Sequence, residues 1–379
     1  MFDVILRGGR VIDPASNLDA VRDIGFRDGR VAEIAERIEG AATETFDAKG
    51  CVVSPGLIDM HTHVYWGGTS MGVEAEPLMR SGGTTTLIDA GSAGPANFSG
   101  FRRFIIERSA VRILAYLNIS FPGIFAYSRA VMVGECSDLR LLDPSECVRV
   151  INDNRDLLVG VKARVGRIAG GSNGLMPLDL AIEAASETDM PVMAHIDNPP
   201  PTRREVLERL RPGDILTHCF KPFPNAPIRS DGEIWEEVLI ARERGIYFDI
   251  GHGTFSFGFR VARGMLEKGF LPDVISSDVH ALNIDGPTFN LLTTLSKFYA
   301  MGVALPDLVR TATANPARAL RRPELGTLRV GAPADATVFD IEDGNFHFFD
   351  ALGEDLESRQ RLRLRATVVN GTLSRGASR

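Results

Sequence analysis

Between residues 55 and 322 the sequence repeats one alternation: a short apolar run, then a longer stretch whose apolar positions recur every three or four residues. The runs at 57–63, 85–91, 112–119, 158–164, 190–196, 214–219, 245–250 and 273–278 read as strands bounded by turn residues. The stretches at 178–187, 234–244, 257–268 and 289–301 carry helical spacing. Eight strands alternating with helices predict an α/β fold, either a (β/α)8 TIM barrel or a doubly wound open sheet. The barrel is preferred because polar residues of ligand type stand at the carboxyl ends of many strands, where barrel enzymes carry their active sites.

The two ends of the chain follow another pattern. Residues 1–54 alternate short β-type runs with glycine turns, as in Val4-Ile5-Leu6 before Gly8-Gly9 and Ile24-Gly25-Phe26 before Asp28-Gly29. A matching set returns at 335–340 and at 362–369, followed by Asn370-Gly371. About fifty residues of strand cannot bury a robust core alone. Both ends, 1–54 and 323–379, are therefore expected to combine into one small β-sandwich domain, with 55–322 forming the barrel.

Composition narrows the partners. The 379 residues are 44% hydrophobic, enough for a large core, and the net charge is −7 with Lys and Arg scattered. Without a basic stripe, nucleic acid is not an expected partner; a small-molecule substrate is. No apolar stretch reaches the roughly 18 residues that span a bilayer and no leader pattern opens the chain, so no membrane partner and a cytoplasmic location are expected. Cys51, Cys136, Cys147 and Cys219 are far apart in sequence, as suits reduced thiols. A homo-oligomer is the default expectation.

The chemistry gathers at strand ends. His61 and His63 lie one residue apart at the end of the first barrel strand, so both imidazoles can face one ion. His195 ends the fifth strand, His218 the sixth and Asp278 the eighth, while Lys162 interrupts the apolar fourth. Singly, each has an ordinary explanation: a hydrogen-bonded buried histidine, a capping aspartate, a lysine snorkelling from the mouth. Together, four histidines and a carboxylate at one end of one barrel point to a metal site for zinc first, with iron, manganese or nickel as alternatives. A cationic lysine would be repelled there. The carbamate that carbon dioxide forms on a neutral lysine amine is instead an anion able to bridge two ions, and with Asp278 and a hydroxide it leaves two divalent ions a net charge of about +1.

This set resembles the amidohydrolase superfamily, in its binuclear subtype with a carboxylated lysine. Carrying the resemblance are Pro55-Gly56-Leu57-Ile58-Asp59-Met60-His61-Thr62-His63, the strand-4 lysine, His195, His218 and Asp278, Gly82-Gly83-Thr84-Thr85-Thr86 at strand 2, and Ala314-Asn315-Pro316-Ala317 with the segment 326–335. It implies that His61 and His63 bind one divalent ion, that His195 and His218 bind the other, that carboxylated Lys162 bridges them, and that Asp278 contacts the first. It further implies hydrolysis by a hydroxide bridging the ions, with Asp278 as the catalytic proton shuttle. Tyr65 stands where dihydroorotases carry a substrate-holding arginine, so the resemblance favours the deacetylase branch: a substrate that is an N-acetyl amino acid or O-acetyl hydroxy acid. A cyclic amidase of dihydroorotase or hydantoinase type is the alternative, and a non-catalytic scaffold the remote one. Arg164, two residues beyond Lys162, is a candidate for the substrate carboxylate, and His252, between two glycines past strand 7, for the substrate or its oxyanion. His280 is expected behind the ligands, and His347 at a structural or exposed place in the terminal domain.

Overall fold

The computed structural model describes residues 1–376 and contains two sheets. One belongs to the chain ends. Its strands are β1 (Phe2–Asp13), β2 (Leu18–Arg27), β3 (Arg30–Ala35), β4 (Ala42–Asp47) and β5 (Val52–Pro55). The other is parallel, in the order β6 (Leu57–Thr62), β7 (Thr84–Ala90), β8 (Arg112–Asn118), β9 (Leu158–Val165), β10 (Val192–Ile196), β11 (Ile215–Leu216) and β12 (Tyr247–Phe248). The chain then returns to the first sheet with β13 (Ala336–Phe349), β14 (Asp355–Val369) and β15 (Thr372–Arg375).

The eighth barrel position is occupied without a regular ladder. Residues 273–279 bridge to strand 7 at Asp249–Val274 and to β6 at Thr62–Val279, both parallel, and thereby close the ring. Ile250 N–H donates to Val274 O at 3.0 Å and His63 N–H to Val279 O at 3.0 Å. Side chains take over the other bonds: Ser277 N–H donates to Asp59 Oδ1 at 2.9 Å and Gly251 N–H to Ser276 Oγ at 2.9 Å. The left-handed backbone of Asp278 (φ 49°) then ends the extended run. Strands 6 and 7 are shorter than their apolar runs suggest, and His218 at φ 62° likewise bends the chain out of register just past β11.

Period-two alternation sorts the barrel residues into layers. Val161, Ala163 and Val165 of β9, with Val192, Ala194 and Ile196 of β10, pack outward against the helices. Ile88, Leu114, Tyr116, Val159, Met193 and Ile215 fill the barrel floor, beneath which Ala317 and Leu320 close the end. Lys162, Arg164 and His195 occupy the alternate positions above that floor. The predicted helices form at Met176–Thr188, Glu236–Glu243, Phe259–Glu267 and Leu291–Ala300. Local caps start others: Asp143 accepts from Ser145 N–H and Glu146 N–H before Pro144–Asp153, and Thr202 with Glu205 makes a capping box at Arg203–Arg209.

The terminal sheet runs β15-β14-β13-β5-β1-β2-β3, with β4 branching from β1. It wraps its own core, including Val4, Leu6, Ile24, Phe26, Val53, Val338, Ala366 and Val368. β5 stitches the two ends together, parallel to β1 on one side and antiparallel to β13 on the other, and Gly56 passes directly from it into β6. The hairpin of β13 and β14 is longer than the apolar pattern indicates because ion pairs extend its ladder: Asp340 with Arg363 at 2.7 Å and Glu342 with Arg361 at 2.6 Å. It reaches the barrel helix Leu291–Ala300, where Leu362 N–H donates to Ser296 Oγ at 3.0 Å.

Buried Thr337 joins the two units, its hydroxyl donating to Gly83 O at 2.7 Å and accepting from Leu57 N–H at 3.2 Å. Thr337→Val preserves shape while leaving both backbone groups unpaired, and is expected to cost about 2 kcal/mol. A denaturant titration of wild type, Thr337→Val and Thr337→Ser would show it; an unchanged midpoint in the valine variant would mean that the hydroxyl carries none of the junction.

Candidate metal centre

The imidazoles at the carboxyl end of the barrel are removed from water, and those of His61, His63 and His218 are oriented by hydrogen bonds on Nδ1. His218 Nδ1 lies 2.7 Å from Gly251 O. A carbonyl only accepts, so Nδ1 carries the proton and Nε2 keeps its lone pair. His61 Nδ1 is 2.8 Å from Thr217 Oγ1, whose own proton goes to Asp249 Oδ2 at 2.7 Å. His61 is thus also protonated on Nδ1 and free on Nε2. His63 Nδ1 pairs with Ser92 Oγ at 2.9 Å, and Ser92 N–H is held by Asp89 Oδ1 at 2.7 Å.

The freed atoms converge. Asp278 Oδ1 is 3.2 Å from His63 Nε2 and 3.4 Å from His61 Nε2, and Lys162 Nζ is 3.4 Å from His61 Nε2. Ligand atoms of His61, His218 and Asp278 all lie within 4.8 Å of one another. The His195 ring centre is 4.5 Å from that of His218, and its buried Nε2 has no hydrogen-bond partner. Two close approaches exclude any side chain but hydrogen. A Cβ on Gly251 (φ 46°) would sit 2.4 Å from Thr217 Oγ1, and one on Gly91 (φ 85°) 2.7 Å from Lys162 Cβ.

Burial keeps this cluster largely uncharged. It drives the imidazoles down, His63 to about 3 and His280 to about 4, with His61, His195 and His218 also well below their usual range. Burial lowers the Lys162 ammonium to about 7, against the opposing pull of Asp278, and raises Asp278 and Asp249 to about 6. Neutral imidazoles with free lone pairs, a carboxylate, an orphaned nitrogen and a lysine with no anionic partner within 4.0 Å among the described residues are the donor set a divalent cation requires.

The other candidates are placed as follows. Arg164 is buried opposite Glu135 (3.4 Å), its guanidinium 5.1 Å from the Tyr127 ring centre. His280 lies behind His63, ring centres 6.2 Å apart, with Nε2 3.2 Å from Thr254 Oγ1. His252 departs from the expectation that it reads the substrate. It stacks on Phe257, its Nε2 meets Lys297 Nζ at 2.7 Å, and its Nδ1 lies 3.0 Å from Gly253 O and 3.1 Å from Thr288 Oγ1, so both ring nitrogens are taken by the protein. His347 is exposed and paired with Asp355 at 2.8 Å. Tyr65 turns into the wall, stacked on Phe101 with its hydroxyl donating to Asn97 O at 3.2 Å. Sequence reading missed Thr217, Ser92, Asp89 and Asp249, although Thr217 precedes the candidate ligand His218 and both aspartates lie on quoted barrel strands.

The sequence pattern described as the amidohydrolase family matches residues 52–373. A deacetylase of Agrobacterium fabrum is 37% identical over 353 residues, covering 93% of this chain and 86% of that protein. Among solved structures, one titled an adenine deaminase superposes with a TM-score of 0.92 at 30% identity, covering 99% of this chain and 100% of the other. One titled a dihydroorotase gives 0.90 at 33% identity, with full coverage of both chains.

Removing an outer partner of a ligand histidine typically weakens metal binding ten- to hundredfold. Thr217→Val, which cuts His61 from Asp249, should lower affinity for divalent ions by about that factor while the far-ultraviolet spectrum stays unchanged. Ions retained per chain across a chelator series would measure it, and wild-type retention would show that Thr217 does not orient His61.

Proposed function

The chain belongs to the amidohydrolase family, and on that premise we propose that it is a metal-dependent deacylase acting on the amide or ester bond of a small acylated carboxylic acid, an N-acetyl amino acid or an O-acetyl hydroxy acid. The observation that carries the reading is Lys162: a fully buried amine beside His61 Nε2, with no anionic partner within 4.0 Å among the described residues and held near neutrality. Carbon dioxide adds to a neutral amine, and the resulting carbamate supplies the anion that the neutral imidazoles lack. His61, His63 and Asp278 would hold one divalent ion, His195 and His218 the other, and carboxylated Lys162 both, zinc being the first choice for this nitrogen and oxygen set.

When bound, such ions lower the pKa of a shared water and polarise the acyl carbonyl. The protein's own residues do the rest. Asp278 is the carboxylate that would accept the proton of the attacking water and return it to the leaving nitrogen or oxygen. Its backbone position is set by its N–H donating to His61 O at 2.7 Å and by Asn283 Nδ2 donating to Asp278 O at 2.9 Å. His61, Lys162, His218 and Asp278 are buried, and low access of bulk water strengthens charge interactions there. Deacylation is favoured over dihydroorotase chemistry by the name of the Agrobacterium relative and by Tyr65, whose hydroxyl is spent on Asn97.

Elemental analysis should find about two divalent ions per chain. Acetate release should appear on a panel of N-acetyl and O-acetyl D- and L-acids, and Lys162→Ala should lose both the second ion and the activity. Two ions with ring opening of dihydroorotate or hydantoins and no acetate would transfer the reading to a cyclic amidase. Only trace metal after growth in supplemented medium, with Lys162→Ala unchanged, would end the two-ion centre.

A further inference from the structure

Three lysines are buried around this end of the barrel, and counting acceptors at each Nζ separates them. Lys297 is saturated, with His252 Nε2 at 2.7 Å, Pro287 O at 2.9 Å and Phe349 O at 2.7 Å. Lys162 belongs to the candidate centre. Lys221 fits neither case. It is 8% exposed, yet its Nζ has only Ser256 Oγ at 3.2 Å and Phe255 O at 3.3 Å, and no carboxylate lies within 4.0 Å among the described residues. A buried ammonium without an anion is costly, and such groups are rare unless paired.

Its place in the fold suggests what pairs with it. Lys221 is three residues past His218, and its N–H donates to His218 O at 3.0 Å, so the two belong to one turn. Its Nζ partners, Phe255 and Ser256, follow Gly253, where a Cβ would sit 2.3 Å from Asp278 Oδ2, so Lys221 stands over the same mouth. Arg164, by contrast, has its charge offset by Glu135 and its face covered by Tyr127. The nearby acidic Asp197 spends its carboxylate on three backbone donors, Ile168, Ala169 and Asn198, rather than on Lys221.

We propose that Lys221 is the anion anchor of the substrate pocket: its ammonium takes the carboxylate of an acylated acid while the scissile acyl group lies at the centre formed by His61, His218 and Asp278. Arg164 stays in the wall as a neutralised partner of Glu135. The inference rests on the deacylase reading and sharpens it, because an uncharged amide or ester of the same size lacks the group that Lys221 needs. Lys221 is a specificity contact and moves no proton.

The test compares metal-loaded wild type with Lys221→Met and Lys221→Arg on N-acetyl amino acids, each alongside its uncharged carboxamide. The anchor predicts that Lys221→Met raises KM for the acids about tenfold or more, with kcat changed less than about threefold and the carboxamides unaffected, while Lys221→Arg recovers part of the loss. Equal losses on acid and carboxamide, or none on either, would overturn it. If wild type cleaves no acid on the panel, the deacylase reading fails, and the anchor is then judged by calorimetry with butyrate and butyramide. About tenfold weaker butyrate binding in Lys221→Met, with butyramide unchanged, supports the anchor; equal butyrate affinity refutes it. Should Lys221→Met fail to fold or to hold metal, Lys221→Gln takes its place in both measurements.

Discussion

The hydrogen bond on Nδ1 of His61, His63 and His218 is the constraint on which the rest of the centre depends. A neutral imidazole offers one lone pair, and the choice of nitrogen is made by whatever the other nitrogen faces. Here the choice is made for His218 by the Gly251 carbonyl and for His61 by the Thr217 hydroxyl backed by Asp249, while Ser92, held through its N–H by Asp89, meets Nδ1 of His63. Each partner comes from a strand or loop other than the histidine's own. The barrel must therefore close before the tautomers are set, and its closing segment is held to β6 and strand 7 by isolated bridges and serine side chains.

Closure explains the strained backbone at the site. His218 and Asp278 both adopt left-handed φ, which costs a non-glycine residue on the order of 1–2 kcal/mol. Fixed bonds on either side offset that cost: His218 by its ring bond to Gly251 O, Asp278 by the bonds of its N–H to His61 O and of its carbonyl to Asn283. The result is a rigid set of donor atoms on the strand ends of a barrel whose floor is apolar, and the terminal sheet fixes the entry of the first barrel strand through β5 and Gly56.

How far all this was legible in the sequence follows from which interactions are local. The eight apolar runs, the alternation that lifts Lys162 and Arg164 above the floor, and the joining of both ends in one sheet are consequences of period and length, and a linear reading captures them. Thr217, Ser92 and Asp249 escaped because their partners lie 29 to 156 residues away and a serine or threonine has no pattern of its own. His252 misled for the same reason. Its glycine neighbours mark a site-facing turn, but Lys297, 45 residues on, claims the ring. The charged ladder of β13 and β14 hid behind polar residues whose alternation is one of ion pairs rather than of hydrophobicity.

The titles of similar proteins name deacetylation, adenine deamination and dihydroorotate chemistry on one fold, so the barrel and its histidines do not choose the substrate. That choice falls to residues outside the apolar floor and outside the set of metal-donor side chains. In this chain the residues proposed for that choice stand on the loops after β8 and β11: Tyr127 and Glu135 around Arg164 on the first, Lys221 on the second. These loops differ in kind from the strand ends. A ligand histidine must meet a fixed point within a few tenths of an ångström, whereas an ammonium at the mouth needs only to leave one charge uncompensated. The unpaired charge can be moved or cancelled by a single substitution without disturbing the centre below, which is how one rigid site can serve substrates of different charge.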